Sequence, residues 1–151
     1  MASGVKVNDD VVTRAVEMNL HKGTPLRYLR FVINSVGTFI EIQEEKERDK
    51  TENGDEEGQK RLLNELTDTL SDKDCCYILY DFGYVPGSGQ ATDKLLFIVW
   101  CPDSASVRNK MLYASSKDAI KNKLSQLAFK EVQANDLSAL SYEAVLDKVL
   151  H

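Results

Sequence analysis

The sequence predicts an α/β fold: a single domain with a central mixed sheet of five to six strands and helices on both faces. Three observations carry this. RYLRFVIN and TFIEIQEE both alternate in the strand period and are separated by a three-residue turn, so they form an antiparallel pair. KLLFIVWC, Lys94–Cys101, is a continuous apolar run, as in a central strand covered on both sides. Helical periods flank and separate the strands, the longest from about Ala105 to Leu127.

The elements follow in order. Residues 1–7 read as a mobile N-terminal arm. A helix begins near Asn8–Asp10, which offer N-cap chemistry, and uses Val11, Val12, Ala15, Val16 and Leu20. Lys22-Gly23-Thr24-Pro25 stops it. In the first strand Leu29, Phe31 and Ile33 alternate with Tyr28, Arg30 and Val32; Ser35-Val36-Gly37 turns the chain into the second. The polar stretch from 44 to 60 is expected to be a solvated charged loop. A short helix over Lys60–Leu70 aligns Leu62, Leu63, Leu66 and Leu70. CCYILYDFGYV is a third strand, VPGSGQ a turn, and KLLFIVWC the fourth strand. CPDSAS then offers Asp103 or Ser104 as the cap of the long helix. FKEVQA adds a strand that can lie parallel to the central one, and Leu137–Leu150 a terminal helix.

Bulk properties remove several function classes. The 151 residues carry a net charge of −5, which disfavours general nucleic-acid binding. No apolar run approaches the roughly 18 residues of a membrane span, and MASGVKVNDD lacks a secretory apolar core. Cys75, Cys76 and Cys101 are expected to be reduced, buried hydrophobes. With no C-x-x-C pair and only His21 and His151 near the ends, a metal site is not expected. No phosphate-cradling glycine loop and no G-x-S-x-G elbow is present. A thiol enzyme using Cys75 or Cys101 would have to recruit a terminal histidine.

The long helix has one apolar stripe too many. Leu112, Ala119, Ile120, Leu124 and Leu127 form a core face, while Val107, Met111 and Ala114 lie roughly opposite. Lys110, Lys117 and Lys121 run beside this second stripe, with Arg108 beyond its other edge. A buried lysine row would be costly, so this flank is expected at the surface. An exposed methionine and valine rimmed by positive charge suit an acidic protein partner. The competing expectation is that Val107 and Met111 pack under the arm.

The run VRNKMLYASSKDAIKNKL resembles the long helix of the ADF/cofilin family of actin-depolymerising proteins. MASGV, DCCYILYDFGY, KLLFIVWCPDSA and LSYEAVLDKV resemble the family's pattern too, in order, so the likeness spans essentially the whole chain. The resemblance implies the ADF-homology fold and a non-catalytic, cofactor-free, monomeric cytoplasmic protein associated with the cytoskeleton. It implies binding to monomeric and filamentous actin, with a preference for ADP-bound subunits, and filament severing or disassembly. By position, Ser3, Gly4, Val5, Arg108, Lys110, Met111 and Lys117 would bind the monomer. Lys94, Asp147 and Lys148 would bind the filament. Thr92 stands where relatives often carry a second basic residue, and relatives often continue with basic residues beyond the equivalent of His151; weakened filament binding is therefore expected. Lys110, Lys117 and Lys121 would meet phosphoinositide head groups, and Ser3 matches the family's phosphorylation switch. The alternative function is a regulatory module of the same fold that binds monomeric actin or an actin-related protein without severing.

Overall fold

The computed structural model of the protein describes residues 4–20, 25–48, 56–84 and 92–150. Six strands form one sheet in the order β1-β3-β2-β4-β5-β6. They are β1 (Lys6–Val7), β2 (Leu26–Ile33), β3 (Phe39–Glu47), β4 (Cys76–Tyr84), β5 (Thr92–Trp100) and β6 (Phe129–Ala134). The helices are α1 (Asp9–Asn19), α2 (Glu56–Thr67), α3 (Val107–Lys123) and α4 (Tyr142–Leu150), the last preceded by a 3-10 turn, Leu137–Leu140. As expected, β2 pairs with β3 and β4 with β5 in antiparallel fashion, and β5 with β6 in parallel. The sheet is mixed because the β1–β3 and β5–β6 pairs are parallel and the other three pairs antiparallel.

The fully covered strands are the ones written in apolar residues. Strand β4 and the second half of β5 are buried on both faces. On one face Leu29, Phe31, Tyr77, Leu79, Phe97 and Val99 pack against Val11 and Ala15 of α1 and Ile120 of α3. On the other, Ile78, Tyr80, Leu96 and Ile98 pack against Leu63 and Leu66 of α2 and Val145 of α4. Burial of this area is the main stabilising contribution, at about 25 cal/mol per Å² of apolar surface.

Four expectations change. The arm over 1–7 is anchored from Val5 onward. Val5 is 5% exposed, Lys6 and Val7 pair with Phe39 and Ile40, and β1 lies against α3. The charged loop over 44–60 is shorter than expected: β3 continues to Glu47 and α2 starts at Glu56. Charged residues extend β3 because it has a solvated face and lies outside β2, where charge also discourages edge-to-edge pairing. Leu20 lies past the end of α1 and is exposed, while Met18 takes the buried position. The long helix is capped by Ser106 rather than Asp103 or Ser104, so it begins at Val107 and ends at Lys123 instead of spanning Ala105–Leu127. The expected stop at 22–24 and the turn at 85–90 lie outside the described residues.

The β2–β3 turn is built by Asn34. Its Oδ1 accepts from the Thr38 amide at 2.8 Å, and its carbonyl accepts from the Gly37 amide at 2.9 Å. Gly37 has φ +79°, a left-handed conformation that favours glycine.

Candidate docking surface on the long helix

The face that α3 turns to the sheet runs Tyr113, Ser116, Ile120 and then Leu124 and Leu127, at helical spacing and all buried. Ile120, Leu124 and Leu127 belong to the expected core stripe; Leu112 and Ala119, also expected there, are only half-buried flanks. Tyr113 and Ser116 were the missing positions. They share the helical spacing of Ile120 and Leu124, but polar atoms weigh against burial until their partners are known. Both main polar atoms of Tyr113 are used. Its hydroxyl accepts from the Ile33 amide at 2.9 Å, and its carbonyl accepts from the Tyr77 hydroxyl. Burial raises the Tyr113 phenol to about 12, so it stays a neutral hydroxyl at physiological pH.

With that face sealed, the opposite stripe has no internal partner among the described residues. Val107 is 70% and Met111 67% exposed, and Ala114 is exposed on the next turn. These positions are i, i+4 and i+7, so the three side chains form one continuous strip. The alternative, packing of Val107 and Met111 under the arm, is not seen for residues 4–7: Val5 and Val7 turn into the core instead. Gly4 is exposed with φ +82°, and Ser3 lies outside the described residues. Val5 therefore serves as the anchor that holds the arm beside α3, which takes its side chain out of any docking contact.

The cations divide into held and unheld groups. Lys110 folds back along the helix and its Nζ donates to the Asp103 carbonyl at 3.1 Å. Lys117 and Lys121 converge on Glu131 of β6, at 3.1 and 2.5 Å. Partial burial would push the Glu131 carboxyl up, but bonds from Lys121 and Lys117 outweigh it and hold the pKa below its ordinary value. Two of the three lysines of the expected Lys110–Lys117–Lys121 flank are thus paired with a carboxylate inside the molecule. Arg108 is exposed and pairs with no carboxylate among the described residues. It borders a groove of about 560 Å³ between the Asn34–Gly37 turn and α3.

The second set of expected residues lies elsewhere. Lys94 is half-buried near the start of β5, and Thr92 is exposed two residues before it. Asp147 and Lys148 are exposed on α4, which packs on the sheet face opposite α3. Asp147 and Lys148 therefore lie across the sheet from the α3 strip.

The cysteine thiols are not activated as nucleophiles. Burial pushes Cys75 and Cys76 up to about 12 and raises Cys101, the opposite of an activated thiol. The terminal histidines lie outside the described residues, and no group of three or more metal-ligating side chains occurs among the described ones. No described helix is long and apolar enough to cross a membrane.

Comparison with known proteins agrees with this geometry. A model of the family described as cofilin/tropomyosin-type actin-binding protein matches residues 4–150. The chain is similar to cofilin of Yarrowia lipolytica, 36% identical over 119 residues, covering 78% of this chain and 69% of that one. It is similar to cofilin of Mycosarcoma maydis, 34% identical over 149 residues, covering 99% and 96% of the two chains. Among solved structures, Streptomyces griseoflavus cofilin superposes with a TM-score of 0.77 at 31% identity, with 96% of each chain covered. The sheet flanked by helices, the bare strip of α3 and these matches lead to one conclusion: the chain belongs to the ADF/cofilin family of actin-binding proteins.

Proposed function

We propose that the protein binds monomeric and filamentous actin, non-catalytically, and promotes filament severing and turnover in the cytoplasm. The observation that carries this reading is the exposure of Val107 and Met111 on a helix whose other face is sealed. Adjacent exposed apolar side chains on one helix face, rimmed by charge, form a surface suited to burial against a partner. In the complex Met111 enters an apolar cleft, and Arg108 and Lys110 face an acidic rim. Exposed ion pairs contribute about 0–1 kcal/mol each, so the apolar anchor carries more of the affinity and the charges more of the orientation. Gly4 and Ser3 join this surface from the arm, while Lys94, Asp147 and Lys148 form the filament contact. Phosphate on Ser3 would add about −1.5 to −2 charge against an acidic partner and weaken docking. Phosphoinositide head groups would compete through Lys110, and through Lys117 and Lys121 once these leave Glu131.

Co-sedimentation and pyrene-actin assays test the reading, with single-filament microscopy for severing. Accelerated disassembly with visible breaks is expected; absence of both monomer binding and any rate change would sink it. A second reading is a module that binds actin monomers or an actin-related protein without severing. The exposed Thr92, a neutral residue two positions before Lys94, favours it. Monomer binding without breaks at any protein concentration would establish that alternative.

A further inference from the structure

Cys75 and Cys101 are buried free thiols on the sheet face beneath α3. The β4–β5 ladder ends at Cys76 opposite Trp100, and extending the same register by one residue sets Cys75 opposite Cys101. The Cys101 amide donates to the Ala134 carbonyl of β6 at 3.0 Å. Its backbone polar groups therefore point away from β4, which makes Cys75 and Cys101 a non-hydrogen-bonded cross-strand pair. Cα atoms in such pairs stand about 4.5 Å apart. A disulfide spans Cα separations of about 4.4–6.8 Å. The two thiols lie close enough to perturb one another's titration. Cys76 points to the opposite face, among the residues under α2 and α4, and cannot take the place of Cys75. Cys75 also lines the groove that Arg108, Leu112 and Tyr113 border, which gives a small oxidant a way in.

We propose that Cys75 and Cys101 are a redox modification site: peroxide converts them to an intramolecular disulfide that ties β4 to the segment leading into α3. The Cys75 thiolate attacks one peroxide oxygen, the O–O bond breaks, and the departing hydroxide takes up the thiol proton as water. Cys101 sulfur then attacks the sulfenic sulfur. The S–S bond forms, the S–O bond breaks, and the hydroxide leaves with the Cys101 proton as a second water. Two thiols are oxidised and one peroxide is reduced. The reaction is slow at neutral pH, because the thiolate is the nucleophile and burial keeps the Cys75 thiol protonated.

The test treats the folded chain with hydrogen peroxide between pH 7 and 10, blocks remaining thiols by alkylation and maps peptides by mass spectrometry. The expected product is a monomer that has lost two hydrogens, with a Cys75–Cys101 cross-link that dithiothreitol reverses. The rate is expected to rise about tenfold per pH unit, following the thiolate fraction. Cys76→Ser should keep the cross-link, and Cys75→Ser or Cys101→Ser should abolish it. Cross-linked dimers, a Cys75–Cys76 link, sulfinic acid without a disulfide, or no reaction short of unfolding would each overturn the proposal. The peptide map of the unsubstituted chain decides the matter even where a serine variant fails to fold. Because the readout is a covalent bond, the outcome is independent of actin binding.

Discussion

At Met111 an unbranched, flexible side chain is held in water by a helix that has no other use for that face. Replacing it by alanine removes no contact inside the protein, so the folded state should lose little. Met111→Ala is expected to leave the denaturation midpoint nearly unchanged and to weaken monomer binding about tenfold or more, as for an apolar anchor at the centre of an interface. Titration of labelled actin monomers checks this, and an unchanged affinity would remove Met111 from the interface. Glu131 is the converse, a residue whose role is internal. Its carboxyl is held below the ordinary range in the folded protein, so it contributes stability above the unfolded-state pKa and loses it as pH falls through the folded one. Glu131→Gln should therefore lower stability at pH 7 by about 1 kcal/mol or less, as expected of partly exposed pairs. The difference from the parent chain should vanish at pH values below the folded pKa, a comparison that urea titration at several pH values makes. The same substitution should strengthen binding to anionic phosphoinositide vesicles by releasing Lys117 and Lys121.

Helix α3 depends on more than its apolar stripe. Ser106 Oγ accepts from the Asn109 amide at 3.1 Å and closes the first turn. Further along, the Tyr77 hydroxyl and the Ile33 amide grip Tyr113 from the sheet. Tyr113→Phe keeps the tilted ring contact with Tyr77 but leaves the buried Ile33 amide without its acceptor. It should cost about 1–3 kcal/mol, the penalty for an unsatisfied buried group. Denaturant unfolding measures the loss; a cost near zero would mean that water replaces the hydroxyl. Because the outer strip is untouched, actin affinity of the folded fraction should hold. Sequence reasoning found this helix and its bare strip and placed Ile120, Leu124 and Leu127 on the inner face, but chose Leu112 and Ala119 where Tyr113 and Ser116 are buried. Leucine and alanine at 112 and 119 look more apolar than tyrosine and serine at 113 and 116. For Tyr113, only the partners on β2 and β4 show that its polar atoms are satisfied and can be buried.

Across the whole molecule charge is separated. Acidic residues crowd 41–74, on β3, α2 and their flanks, and basic residues crowd 108–130, on α3 and β6. Such a charge distribution steers the α3 side toward an acidic partner and does so more strongly at low ionic strength. The association rate with actin monomers should fall as salt rises, while the dissociation rate of the complex changes little. Stopped-flow mixing at several salt concentrations checks this. Dissociation rates as salt-sensitive as the association rates would place the charged groups inside the buried contact rather than at its rim.

The sequence alone determined the fold class, the pairing of β2 with β3, β4 with β5 and β5 with β6, and the identity of the second stripe on the long helix. These follow from local periods and turn residues, which act over a few positions. What only the tertiary structure decided was long-range. It set β4 beside β2, recruited Lys6–Val7 as a sixth strand, buried Val5, placed Lys117 and Lys121 on Glu131, and brought Cys75 opposite Cys101. No spacing within the chain encodes such neighbours, because each depends on where a separate element docks and on which polar atoms find a partner there.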